Sequence, residues 1–201
     1  MANIEHRNIV DAQRHEPKGI DASTVGQVYV SNGDGSSGAW KTAVLTGVED
    51  YNDLATASSP IALTSAATSY DLTNDTAGGF TNVTQQIAGN NPTWKVATQR
   101  FDFTSLSLGD TVDIRWDITI DNSATNGEFL LSLDLGIGAS PYSLSVSNIY
   151  LKSAAAATIT GLYSVYMGDT NTLNNPAKFS IESDTTGDTV IVNGWYIRTV
   201  L

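Results

Sequence analysis

The chain has 201 residues, no cysteine and a net charge of −11, from ten basic against twenty-one acidic side chains. That length suits one domain with an appendage. The missing cysteine excludes disulfides, thiolate zinc sites and thiol nucleophiles, and so acidic a body repels phosphate backbones, which makes nucleic acid an unexpected partner. Charge is balanced within residues 1–20, so the whole acidic excess lies beyond them. No apolar run approaches the ~18 residues that cross a bilayer, and membrane insertion is not expected. The opening "MANIEHRNIV" has no apolar stretch behind a basic cluster, so it reads as no secretory leader and synthesis is expected in the cytoplasm. Abundant Ser, Thr, Asn and Gly favour strands joined by turns, and an all-β fold follows.

Residues 1–20 follow neither the helical nor the strand period. Ile4, Ile9 and Val10 could anchor an extended arm, and Pro17 with Gly19 stops any helix begun before them. An arm this short cannot bury its own apolar residues, so it is expected to dock on another surface. "VGQVYV" (25–30) and "AWKTAVL" (39–45) read as two strands joined by the loop "SNGDGSSG", too long for a tight hairpin turn. This defines residues 1–46 as a docking arm and hairpin. The acidic, weakly patterned stretch 47–59 is taken as a linker, with room for one helical turn.

From Pro60 the strand signals are dense. "IALT", "SYDLT", "FTNVTQQI" (80–87) and "WKVATQRFDF" (94–103) come first. The clearest strand is 111–120, where Val112, Ile114, Trp116, Ile118 and Ile120 alternate against Asp113, Arg115, Asp117 and Thr119. Residues 128–138 repeat the pattern from Phe129 to Ile137, after an Asn126-Gly127 pair suited to positive φ. Residues 142–151, 158–167, 177–183 and 189–201 complete the set, the last interrupted by Asn193-Gly194 as a tight turn or bulge. About eight strands over residues 60–201 point to an antiparallel β-sandwich, with a jelly roll preferred although strand order is not derivable.

Chemistry has little to build on. His6 and His15 are the only histidines and lack the further ligands or partners that metal binding or proton transfer needs. Asp102, Asp113, Asp117 and Asp134 could share a sheet face and pair as glycosidase carboxylates, although alternating aspartates equally mark a solvated strand face. "SNGDGSS" echoes a calcium loop but lacks its glycine and glutamate. Asn74-Asp75-Thr76 and Asn82-Val83-Thr84 match the glycosylation pattern by chance. No catalytic residue, metal or cofactor is therefore expected. Among the aromatics, Trp116 belongs to the core by its alternation. Trp195 and Tyr196 point to opposite faces, which makes one of them a candidate for a second interface. Trp40 either packs beneath the hairpin or docks.

Two stretches resemble small structural proteins of tailed bacteriophages, of the head-decoration and tail-fibre kind. The first is His15-Glu16-Pro17-Lys18-Gly19 followed by Gly26, Val28, Tyr29, Val30 and Trp40. The second comprises "YSVYMGDTNTLNNPAKFSIESD" and "VIVNGWYIRTVL". The resemblance implies a non-enzymatic protein of the virion surface: a homotrimer of jelly rolls whose arm grips the major capsid protein or another virion protein. Ile4, Ile9, Val10, His15, Pro17, Lys18, Gly19, Tyr29, Trp40, Trp195 and Tyr196 are the docking and interface candidates. An alternative is a tail-fibre or tail-associated protein that binds a host-surface receptor. A third reading, a small glycan depolymerase, is disfavoured by the short chain. Loop tips built mainly of Gly, Ser, Asn and Asp favour decoration over receptor binding.

Overall fold

A computed structural model describes residues 27–30, 39–42, 46–79, 83–85 and 91–201. The chain divides into two units, Met1–Val44 and Leu45–Leu201. In the first, β1 (Gln27–Val30) and β2 (Ala39–Thr42) pair antiparallel and set Tyr29 opposite Trp40. The second unit runs β3 (Thr46–Asn52), α1 (Ala55–Ser58), β4 (Ile61–Leu63), β5 (Tyr70–Asp71), β6 (Val83–Gln85), β7 (Trp94–Lys95) and β8 (Arg100–Phe101). It continues through β9 (Thr111–Asp121), β10 (Gly127–Leu135), β11 (Tyr142–Leu151), β12 (Ala156–Tyr166), α2 (Thr170–Asn174), β13 (Lys178–Ser183) and β14 (Asp188–Val200).

Two antiparallel sheets make the sandwich. One is ordered β12-β9-β14-β3, with β6 beyond β3 and β4 also on β14; the other is ordered β11-β10-β13-β5. Take β3, β5, β9, β10, β11, β12, β13 and β14 as strands one to eight. First then pairs with eighth, second with seventh, third with sixth and fourth with fifth. That nested pairing is the double Greek key of the jelly roll, an order the sequence alone left undetermined.

Alternation places the core as expected. Val112, Ile114, Trp116, Ile118 and Ile120 of β9 and Phe129, Leu131, Leu133 and Leu135 of β10 are all buried. Asn126 adopts φ 62° ahead of β10, the left-handed conformation an Asn-Gly turn requires. β10 stops at Leu135, short of the expected residue 138, because Gly136 turns the chain at φ +67°. Asn193-Gly194 is a bulge and not a turn: β14 runs unbroken from Asp188 to Val200, and its register against β9 shifts between Val192 and Gly194.

Two expectations need correction. Residues 94–103 form a short hairpin, β7 against β8, with Gln99 at φ 56° before the return strand. Residues 47–59 are no linker: β3 pairs along β14 from Thr46 to Asn52 and α1 follows. Its alternation escapes a hydropathy reading because Glu49 and Asp53 take inward positions. Glu49 accepts from Thr93 N (2.7 Å), Trp94 N (3.3 Å) and Tyr51 Oη (2.8 Å). Asp53 accepts from the Thr56 amide and hydroxyl and from Asp75 N (2.8 Å). Buried carboxylates persist where such donors replace water.

The β7–β8 hairpin also delivers aromatic rings to the interior. Trp94 packs on Phe101 at 4.8 Å and on Trp195 at 5.8 Å, while Phe179 of the facing sheet stacks on Trp195 at 5.5 Å. Offset and tilted rings at these separations are mutually attractive beyond their burial. One cluster thus ties β7, β8, β13 and β14 together.

Candidate functional site

The predicted site residues are separated by the fold. Ile4, Ile9, Val10, His15, Pro17, Lys18 and Gly19 lie outside the described residues, as do His6, the "SNGDGSSG" loop and Asn82. Tyr29 and Trp40 are cross-strand partners in the β1–β2 hairpin. Trp195 is fully buried in the aromatic cluster, so it leaves the set of interface candidates. Its neighbour Tyr196 faces outward, with the Arg115 guanidinium 5.4 Å from its ring centre. Asn74 is completely buried, and its backbone oxygen accepts from Trp94 Nε1 (3.0 Å), so it offers no glycosylation acceptor.

The four aspartates do not form one constellation. Asp113 and Asp117 stand on the outer face of the larger sheet. There Asp113 holds Arg198 (3.6 Å) and Ser164 (2.6 Å), and Asp117 accepts from Asn193 (2.8 Å). Asp134 stands on the other sheet, bonded to Ser143 and Ser180. Asp102 follows β8 and takes Thr104 and Lys95. Each carboxylate is occupied by its own local partners, and Asp113 and Asp117, the two on one face, stand four residues apart on one strand, roughly 13 Å, beyond the separation a two-carboxylate hydrolysis uses. Among the described residues no cluster of His, Asp or Glu is arranged to hold a metal, and no helix is long and apolar enough to cross a membrane.

The unusual surface is a flank. Among the described residues β11 pairs only with β10 and β12 only with β9, so both are edge strands. Only residues 152–155 join them, a link too short to cross the sandwich, so the two edges border the same side. Lys152 is the sole charged residue from 142 to 166, in a chain with thirty-one. Among the described residues, four of the seven exposed large apolar or tyrosine side chains are on these two strands: Tyr142, Leu162 and Tyr166, and also Tyr150, which its register beside Glu128 turns away from the edge onto the outer face of the smaller sheet. Leu162 and Tyr166 are 62% and 63% exposed. Leu144, Val146, Leu151, Ile159 and Tyr163 pack on the core but remain half-buried along the open seam.

Natural edge strands are usually blunted by charge, proline or bulges. β12 has none of these: it holds register with β9 without a break for all eleven residues, Ala156 to Tyr166. Gly161 sits directly across from Trp116, where a Cβ would lie 2.2 Å from Trp116 Cζ2. The indole covers the glycine and leaves no room for a side chain there. β11 carries one irregularity, at Leu131/Ser132 of its partner. Sequence reasoning missed this flank, although the run from 142 to 166, with Lys152 as its one charge, was visible. What the run could not show was that both strands are edges on one side.

No protein-family model matches the chain, and no curated protein matches it by sequence. Several solved structures are similar in fold. PRD1 vertex protein P5 aligns at 18% identity and TM-score 0.38, over 89% of this chain and 82% of that one. A chain of the cowpea mosaic virus top component aligns at 8% identity and TM-score 0.32, over 79% and 82%. The CBM22-1 and GH10 modules of a Clostridium thermocellum endo-1,4-beta-D-xylanase align at 17% identity and TM-score 0.36, over 49% of this chain and 19% of that one. The chain thus spans about a fifth of that xylanase chain. Viral capsid and vertex proteins and carbohydrate-binding modules are both represented, and at these TM-scores none carries a functional argument.

Proposed function

We propose that this protein is a non-enzymatic structural component of a virion. In this reading it is a capsid-decoration or head-fibre protein that assembles as a homotrimer and docks through residues 1–46. The observation that carries the reading is the flank of β11 and β12, whose strands carry no charged side chain and of which β12 has no bulge. Copies of a chain carrying −11 repel one another across most of their surface. The flank is the place where identical copies can meet without opposing charge, and its half-buried seam gains by exclusion of water. Two such edges per subunit suit closure around a rotation axis, which leaves no edge free to propagate a fibre. The phage-like arm motif, His15 to Gly19, supplies the attachment to the shell.

The test combines sedimentation velocity with particle binding. The full chain is expected to sediment as a trimer and to bind particles. A chain lacking residues 1–20 is expected to remain a folded trimer that no longer binds them. A monomeric full chain overturns the assembly reading, and undiminished particle binding by the truncation overturns the arm's role.

A further inference from the structure

The outer face of the smaller sheet carries a cleft of about 600 Å³ that the assembly reading does not use. Its floor is the end of β10, with Glu128 and Leu130, between Asn148 and Tyr150 of β11 and Glu182 of β13. The pairing register sets Tyr150 beside Glu128, and Leu130 between Asn148 and Glu182. On the β13 side, the turn at Ala67 is held by a hydrogen bond from its backbone N–H to Ser183 O (2.8 Å) and borders the cleft. On the β11 side the Tyr150 ring stands 52% exposed. Its hydroxyl is fixed to Asn126 Oδ1 at 2.7 Å, so the ring is an oriented wall and not a swinging side chain.

We infer that this cleft binds a neutral or amino-bearing saccharide chain, stacked on Tyr150 and hydrogen-bonded by Glu128, Asn148 and Glu182. The side chains of these three residues make no hydrogen bond or ion pair among the described residues. Most other carboxylates of the sandwich are engaged: Asp71 by Arg100 and Lys178, Asp113 by Arg198, Asp134 by Ser180, Asp188 by Ser123. Leaving two acceptors and an amide unpaired beside a fixed aromatic ring provides for a ligand rich in hydroxyl donors. Asn148 and Glu182 flank Leu130 and so stand two strand spacings apart, about 10 Å, a separation that reaches successive sugar units of a chain. The aromatic face takes the ring's apolar C–H surface, and Leu130 supplies apolar floor between the acceptors. No basic side chain lines the cleft, so sulfated, phosphorylated or carboxylated glycans are repelled.

This inference is independent of trimer formation, since Tyr150 faces the cleft while Leu162 and Tyr166 stand on the other sheet. The full-length chain is applied to an array of neutral, amino-bearing and sulfated oligosaccharides, with a lysine-rich peptide alongside, and hits are measured by calorimetry. Binding is expected for at least one neutral or amino-bearing saccharide and for no sulfated one. Tyr150→Ala should weaken that binding about tenfold or more, and Glu182→Gln by a smaller factor, with the sedimentation coefficient and thermal unfolding unchanged. Retention of no saccharide, binding indifferent to Tyr150→Ala, or binding of the lysine-rich peptide alone each overturns the inference.

Discussion

Where β3 and β5 lie, the sandwich is finished by polar groups that find partners within the chain, whereas β11 and β12 leave it finished by apolar groups that find none. On the first side Glu49 and Asp53 are buried under backbone and hydroxyl donors, and Asp71 holds both Arg100 and Lys178. On the second, Leu162 and Tyr166 project into solvent, and Ile159 and Tyr163 line a half-open seam. A satisfied polar network closes an edge permanently, because its donors and acceptors no longer need water or a partner. An uncharged apolar edge is favourable only when another surface removes it from water. The contrast separates what the fold needs for itself from what it holds in reserve for assembly.

The sharpest way to break the contrast is to charge the open flank. Leu162→Lys with Tyr166→Lys should abolish assembly, because burying each ammonium costs several kcal/mol. Monomer stability should change by only about 0.5 kcal/mol, since both sites are exposed. Sedimentation velocity and urea unfolding read the two quantities separately, and an intact trimer would remove the flank from the interface. In the interior, Trp195→Ala should destabilise the fold by about 3–5 kcal/mol, measured by denaturant unfolding, because four rings and both sheets share that cluster.

Smaller effects sharpen it. Gly161→Ala should cost about 1–3 kcal/mol as the new methyl displaces the Trp116 indole, and unfolding by denaturant checks it. Asp188 is wholly buried. Burial alone would raise its pKa, but hydrogen bonds from Ser183, Ser123 and Thr185 outweigh that and hold it below the ordinary 3.8. Its contribution to stability is therefore complete above that value and is lost as pH falls through the lowered folded-state pKa. Asp188→Asn should be less stable by about 1–2 kcal/mol at neutral pH, with its unfolding curve converging on the parent's in acid. Asp71→Asn should cost the least, about 0–1 kcal/mol, since all three side chains of that ion pair are partly exposed.

Composition and alternation alone established the all-β class, the long strands at 111–120 and 142–151, the turn at Asn126-Gly127 and the burial of Trp116. Each depends on interactions between near neighbours: a period of two, a left-handed asparagine, a strand long enough to show its pattern. Strand order, the sheet position of β3, the burial of Trp195 and the separation of Asp113 from Asp134 came only with the tertiary structure. In those cases the deciding partner lies far along the chain: Thr93 and Trp94 for Glu49, Phe179 for Trp195. The run from 142 to 166, with Lys152 as its one charge, stands between the two kinds. Its composition is plain in the sequence, but its meaning depends on β11 and β12 both being edges on one side, which only strand pairing decides.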